Sequence, residues 1–187
     1  MNPHDQLIGL KPSKDFFIGI DSDGCAFDTM EIKQKECFCP NFIKYFGLQP
    51  VSKYARETWE FVNLYSTNRG CNRFIAVYEA LTLLSTRPEI KARNFTVPEA
   101  IPLLEWTKKE TKLGNPTLKR YSEEVNNPFI TRTLEWSMKV NDDIEKLVFG
   151  ITPFPYVKEC LEKMRPYADA MVVSQTPVGR TSKAWIE

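Results

Sequence analysis

The sequence predicts an α/β fold: a parallel-sheet core, incomplete in this chain, interrupted by a large inserted all-helical domain. Three observations predict it. Two continuous apolar runs, Phe16-Phe17-Ile18-Gly19-Ile20 and Ala170-Met171-Val172-Val173, have the length and uninterrupted hydrophobicity of strands covered on both faces, and each runs straight into polar residues. Between them, from about residue 30 to 150, no period-two alternation occurs and apolar residues recur at helical spacing. The second run is flanked by helix candidates starting at Pro153 and Pro177, the order of an α/β unit.

Along the chain, the first run is the first core strand. The helical block that follows carries two apolar faces, one of Tyr54, Thr58, Phe61, Val62 and Tyr65, the other of Phe74, Val77, Tyr78, Leu81 and Leu84. Its helix starts are marked by prolines behind capping side chains, at Asn115-Pro116 and Asn127-Pro128, with Thr152-Pro153 and Thr176-Pro177 repeating the pattern nearer the C-terminus. Proline at the first helical position gives up an amide that had no partner, while the preceding Asn or Thr accepts from the next free amides. Thr96-Val97-Pro98-Glu99 adds a capping-box pattern. A helix from Pro153 to about Arg165, striped by Val157, Leu161 and Met164, leads into the second strand. These marks divide the chain into residues 1–28, the first part of the core; 29–151, the helical insertion; and 152–187, the second part of the core.

Composition narrows the function classes. The 187 residues carry 25 Lys and Arg against 24 Asp and Glu, so no basic excess exists to favour nucleic acid or an anionic membrane surface. Met1 to Ile20 lacks the apolar run of a secretory signal, no uncharged stretch is long enough to span a bilayer, and the chain is read as cytoplasmic. The five cysteines are an odd set read as reduced thiols. Cys37 and Cys39 suggest zinc, but the single histidine, His4, and the lack of a second cysteine pair leave the ligand set short. A cysteine phosphatase needs Arg six positions after its nucleophile. Glu31, Ile43, Tyr45, Val77 and Pro166 stand there instead, which excludes that chemistry.

The chemistry gathers at the two strand ends. After the first strand comes Asp21-Ser22-Asp23-Gly24-Cys25-Ala26-Phe27-Asp28-Thr29. Ligands in open parallel sheets bind beyond the carboxyl ends of the strands, where Asp21 stands. Two carboxylates two residues apart crowd like charges, and the crowding is relieved by a proton or a hard cation such as Mg2+. The structural alternative is a solvated acidic turn. Gly24 lets the chain turn sharply. Asp28 and Thr29 read as the start of the first inserted helix, and Cys25 as a small packed thiol.

Asp21-x-Asp23-Gly24-x-x-x-Asp28-Thr29 after an apolar strand resembles the first motif of the haloacid dehalogenase superfamily of phosphohydrolases, in its phosphoglycolate-phosphatase-like branch. Val172-Val173-Ser174-Gln175-Thr176-Pro177 resembles the superfamily's second motif, and residues 153–161 are similar to its lead-in helix. The resemblance implies a Rossmann-like core, a helical C1-type cap, and a Mg2+-dependent phosphatase acting on a small phosphomonoester. It implies Asp21 as the nucleophile that becomes an aspartyl-phosphate, Asp23 as general acid and base, and both as metal ligands, the second through its backbone carbonyl. Ser174, with Gln175 beside it, would receive phosphate oxygens at the positive end of the helix starting at Pro177; the alternative is that Ser174 only caps that helix.

An acid at Asp23 separates phosphate-ester hydrolases from the dehalogenase and phosphonatase branches, as the resemblance has it. A C1-type cap implies a small phosphorylated metabolite as partner. Arg56, Arg69 and Arg73 are the cap cations to weigh for substrate contact against the commoner fate of exposed, solvated arginines. The family's lysine and distal acid are not found before Glu187, so the chain is read as a fragment with weak or absent turnover. Two alternatives stand beside the phosphatase: a non-catalytic module binding a phospho-ligand or a protein, and a phosphomutase. The oligomeric state is not legible.

Overall fold

The computed structural model describes residues 8–173. The chain is α/β and divides into two compact units, one of Met1–Glu31 with Val148–Glu187 and one of Ile32–Leu147. The sequence reading set these junctions at 28/29 and 151/152. No helix among the described residues is long and apolar enough to cross a membrane.

The first unit contains the sheet. β1 (Phe16–Ile20) is bounded as its apolar run predicts. The chain enters the helical unit through α1 (Thr29–Ile32), continues as a π-helical segment (Lys33–Phe38), and runs into α2 (Cys39–Tyr45). α3 (Ser52–Glu60) likewise ends in a π-helical segment, Phe61–Tyr65. α4 (Arg73–Thr86), α5 (Pro88–Ala92), α6 (Ile101–Lys109), α7 (Asn115–Val125) and α8 (Pro128–Leu147) complete this unit. Back in the first unit, α9 (Val157–Met164) precedes β2 (Ala168–Val172).

β1 and β2 pair in parallel, with Phe16 opposite Ala168 and Ile20 opposite Val172. β2 starts two residues earlier than its apolar run suggests, because Asp169 is held inside the strand. Its carboxylate accepts from the Ser13 hydroxyl at 2.6 Å, the Ser13 amide at 2.7 Å and the Lys14 amide at 3.1 Å. Gly19 is needed for close approach: a Cβ there would meet Cγ2 of Val173 at 3.0 Å. Phe16 and Phe17 at the start of β1 are exposed, since a sheet of two strands leaves its apolar faces partly uncovered.

The helical unit is built on aromatic packing. Trp59 and Trp136 are fully buried, with ring centres 5.8 Å apart, and Phe42 lies 4.6 Å from Trp59. Each ring of this size removes about 150–250 Å2 from water. Polar groups inside it are matched: Gln34 Oε1 accepts from Trp59 Nε1 at 2.9 Å, and Asn41 Nδ2 donates to Asp143 at 2.6 Å, while Lys139 pairs with the same carboxylate. Burial raises the Asp143 carboxyl, but the hydrogen bonds from Lys139 and Asn41 outweigh it and hold the group below its usual range.

Helix starts follow the capping rules in part. Asn127 accepts from the Phe129 amide at 2.9 Å and opens α8 as its sequence predicts. Asn115 is instead the first residue of α7 behind Gly114, and its side chain accepts from Ser137 on α8 at 2.6 Å. The Thr96 capping box does not form, since α6 begins only at Ile101. Thr152-Pro153 does not start a helix either: Pro153 bridges Phe27, and α9 begins at Val157 after Tyr156 in the left-handed region. The backbone there is committed to the first unit's loop before it is free to coil.

Candidate functional site

The Asp21–Thr29 loop is built by the strand that feeds it. In-register pairing of β1 with β2 brings both carboxyl ends to one side, and the Val173 amide donates to the Ile20 carbonyl at 2.8 Å. Asp21 therefore leaves the sheet at the end where open parallel sheets carry their ligands. Ser174 and Gln175, the phosphate-binding residues expected from the sequence, lie outside the described residues, as does the helix expected from Pro177.

Beyond Asp21 the chain folds back on itself at once. The buried Ser22 carbonyl accepts from the amides of Ala26 at 3.2 Å and Phe27 at 3.0 Å. The Gly24 amide donates to the Phe27 carbonyl at 2.8 Å, and Gly24 takes φ +73°, a conformation that a Cβ disfavours. The turn is clamped from the far end of the chain: Phe27 bridges Pro153 antiparallel, and the Phe154 amide donates to the Ala26 carbonyl at 2.9 Å. The lead-in segment thus supports the loop with backbone hydrogen bonds.

This frame sets the two carboxylates differently. Asp21 is exposed, and its Oδ1 accepts from the Ser22 amide at 2.8 Å. Among the described residues its Oδ2 has no hydrogen-bond partner, so one oxygen is oriented and the other is presented. Asp23 is partly buried, and its Oδ1 accepts a 2.5 Å hydrogen bond from the hydroxyl of Thr29, itself buried at the first position of α1. Thr29 is the functional residue that sequence reasoning missed. Reading it only as a helix start overlooked that the turn brings its hydroxyl back to Asp23.

As donors, an exposed carboxylate and neighbouring loop carbonyls are hard oxygens, the set Mg2+ accepts alongside waters and substrate phosphate. The residues present fit that ion. Among the described residues no group of three or more His, Cys, Asp or Glu side chains gathers as a metal site, at this loop or elsewhere. Cys37 and Cys39 are buried in the helical unit, and burial pushes the Cys39 thiol up to about 12. Cys25, expected to be packed, is exposed.

The three arginines of the helical unit differ. Arg56 and Arg69 are exposed. Arg73 is structural: its guanidinium donates to Asn141 at 2.9 Å and to the Ser137 hydroxyl at 3.2 Å, and lies 4.9 Å over the Phe38 ring. Compared with known proteins, the chain matches no family model, no curated protein and no solved structure.

Proposed function

We propose that the chain carries the catalytic loop of a Mg2+-dependent phosphatase of the haloacid dehalogenase type, acting on a small phosphomonoester through an aspartyl-phosphate. On this reading the two-stranded sheet belongs to a Rossmann-like core and the helical unit is its cap. One observation carries the proposal: at the end of a parallel strand, one carboxylate is exposed, with an oxygen that has no hydrogen bond among the described residues, while a second, two residues on, is held by a hydroxyl. A solvated acidic turn needs neither the clamp from Phe154 nor the Thr29 bond.

In this mechanism Asp21 Oδ2 attacks phosphorus. The new O–P bond forms as the bond to the leaving alkoxide breaks, and the Asp23 carboxyl gives its proton to that alkoxide. Asp23, now a carboxylate, takes a proton from water as the water displaces Asp21 and frees inorganic phosphate. The Ser22 amide fixes Asp21, and Thr29 fixes Asp23, so that each group does one task. Asp21 and the Asp23 backbone carbonyl would hold Mg2+, which neutralises phosphate charge when bound. Ser174 follows Val173 directly in the chain, and its hydroxyl, with Gln175 beside it, is assigned to the phosphate oxygens.

The test is release of inorganic phosphate from a panel of small phosphomonoesters. Release should require Mg2+, disappear in Asp21→Asn, and fall by roughly 10²–10⁴-fold in Asp23→Asn, the range of general acid catalysis. Release that survives Asp21→Asn contradicts the proposal, as does a failure of Asp21 to take up phosphate from a small phosphomonoester in the presence of Mg2+.

A further inference from the structure

The π-helical end of α3 changes which side chains face out. A π turn takes more residues than an α turn, so the apolar stripe read from α3 cannot continue through it. Val62 and Leu64 turn inward and are buried, whereas Phe61 and Tyr65 are half or more exposed, at 50% and 62%. They line an open cavity of about 440 Å3 whose other wall is α4, through Glu79 and Leu83. That volume lies within the range of small-molecule sites. Part of the lining is polar and held in place: the Ser66 hydroxyl donates to the Val62 carbonyl at 2.7 Å and accepts from the Asn68 amide at 3.0 Å.

Among the described residues Glu79 is the charged group in this lining, and no Lys or Arg lines the cavity. It is partly buried, and among the described residues its carboxylate has no hydrogen bond or ion pair. A half-buried carboxylate with no cation beside it among the described residues, lining the same open cavity as two exposed aromatic rings, is a recognition pattern for a cation with an apolar body. The rings attract the cation through their quadrupoles, and the acid neutralises it.

We propose that this cavity binds a small organic ammonium ion, with Glu79 as its counter-charge and Phe61 and Tyr65 as its aromatic walls. The site lies wholly in the helical unit, and its test needs no phosphate chemistry, so the two proposals stand or fall separately. The experiment titrates the full chain with choline and with its neutral carbon isostere, 3,3-dimethylbutan-1-ol, by ligand-observed NMR and calorimetry. Choline should bind saturably in the millimolar range, about tenfold or more tighter than the isostere. Glu79→Gln should cost about tenfold and Tyr65→Ala roughly threefold in affinity. Both variants should melt with the wild type, since neither side chain is committed to the core. Equal binding of the isostere overturns the proposal, as does unchanged affinity in Glu79→Gln or no saturation by about 100 mM choline.

Discussion

Removing one hydroxyl, in Thr29→Val, isolates the contact on which the candidate site depends. Valine keeps the shape and the χ1 stiffness of threonine, so the buried position at the start of α1 stays filled. What disappears is the 2.5 Å donor to Asp23. Hydrogen bonds to charged groups contribute about 1.5–3 kcal/mol, and Asp23 is only partly buried, so water recovers some of the loss. The expected cost is therefore near the low end, about 1.5 kcal/mol. Every 1.4 kcal/mol is a factor of ten in an opening equilibrium, so amides between Asp21 and Glu31 should exchange hydrogen roughly tenfold faster in the variant. Amides of the aromatic helical unit should be unaffected. Thr29→Ser, which keeps the donor, should lie within a few-fold of wild type. If valine exchanges like wild type, or serine as fast as valine, the hydroxyl does not hold the loop and the reasoning fails.

Three further outcomes are expected. Gly24→Ala should destabilise the same loop by about 1–2 kcal/mol, because Gly24 sits at φ +73°, and exchange over residues 21–31 reads it directly. Trp59→Phe should lower stability in urea melts by about 2–4 kcal/mol, from the buried volume lost and the Gln34 oxygen left unpaired; Gln34→Leu in the same background should recover part of it, and a fully additive pair would deny the coupling. The Asp143 carboxyl is held below its usual range, so its contribution is present above the ordinary carboxylate value of about 3.9 and is lost as pH falls through the lower folded value. Asp143→Asn should therefore flatten the acid limb of the stability profile, whereas an unchanged limb would mean that Lys139 and Asn41 do not favour its charged form.

What could be read from residues alone follows how local the cause is. β1 was legible because five apolar residues in a row admit few other uses, and α4 because Phe74, Val77, Leu81 and Leu84 keep one uninterrupted period that the structure buries. The stripe through Phe61 and Tyr65 misled because a π turn resets the phase, and no residue type announces such a turn. Thr152-Pro153 misled for a different reason: its backbone is taken up by a partner more than a hundred residues away, Phe27, and capping rules carry no information about that competition. At the candidate site, Asp21 and Asp23 were legible as acids following a strand. The task of Thr29 was not, because it depends on the path of the turn between them. The Asp143 cluster joins Asn41 to a helix a hundred positions on, and likewise left no mark in the spacing.

The central claim, that Asp21 is a nucleophile toward phosphorus, is tested most directly by trapping its covalent product. The protein is mixed with Mg2+ and a small phosphomonoester, quenched with borohydride, and the peptide containing residue 21 is read by mass spectrometry. The account predicts homoserine in place of aspartate at position 21, dependent on both Mg2+ and the ester, with aspartate retained at position 23. Phosphate released while Asp21 stays unreduced would contradict it.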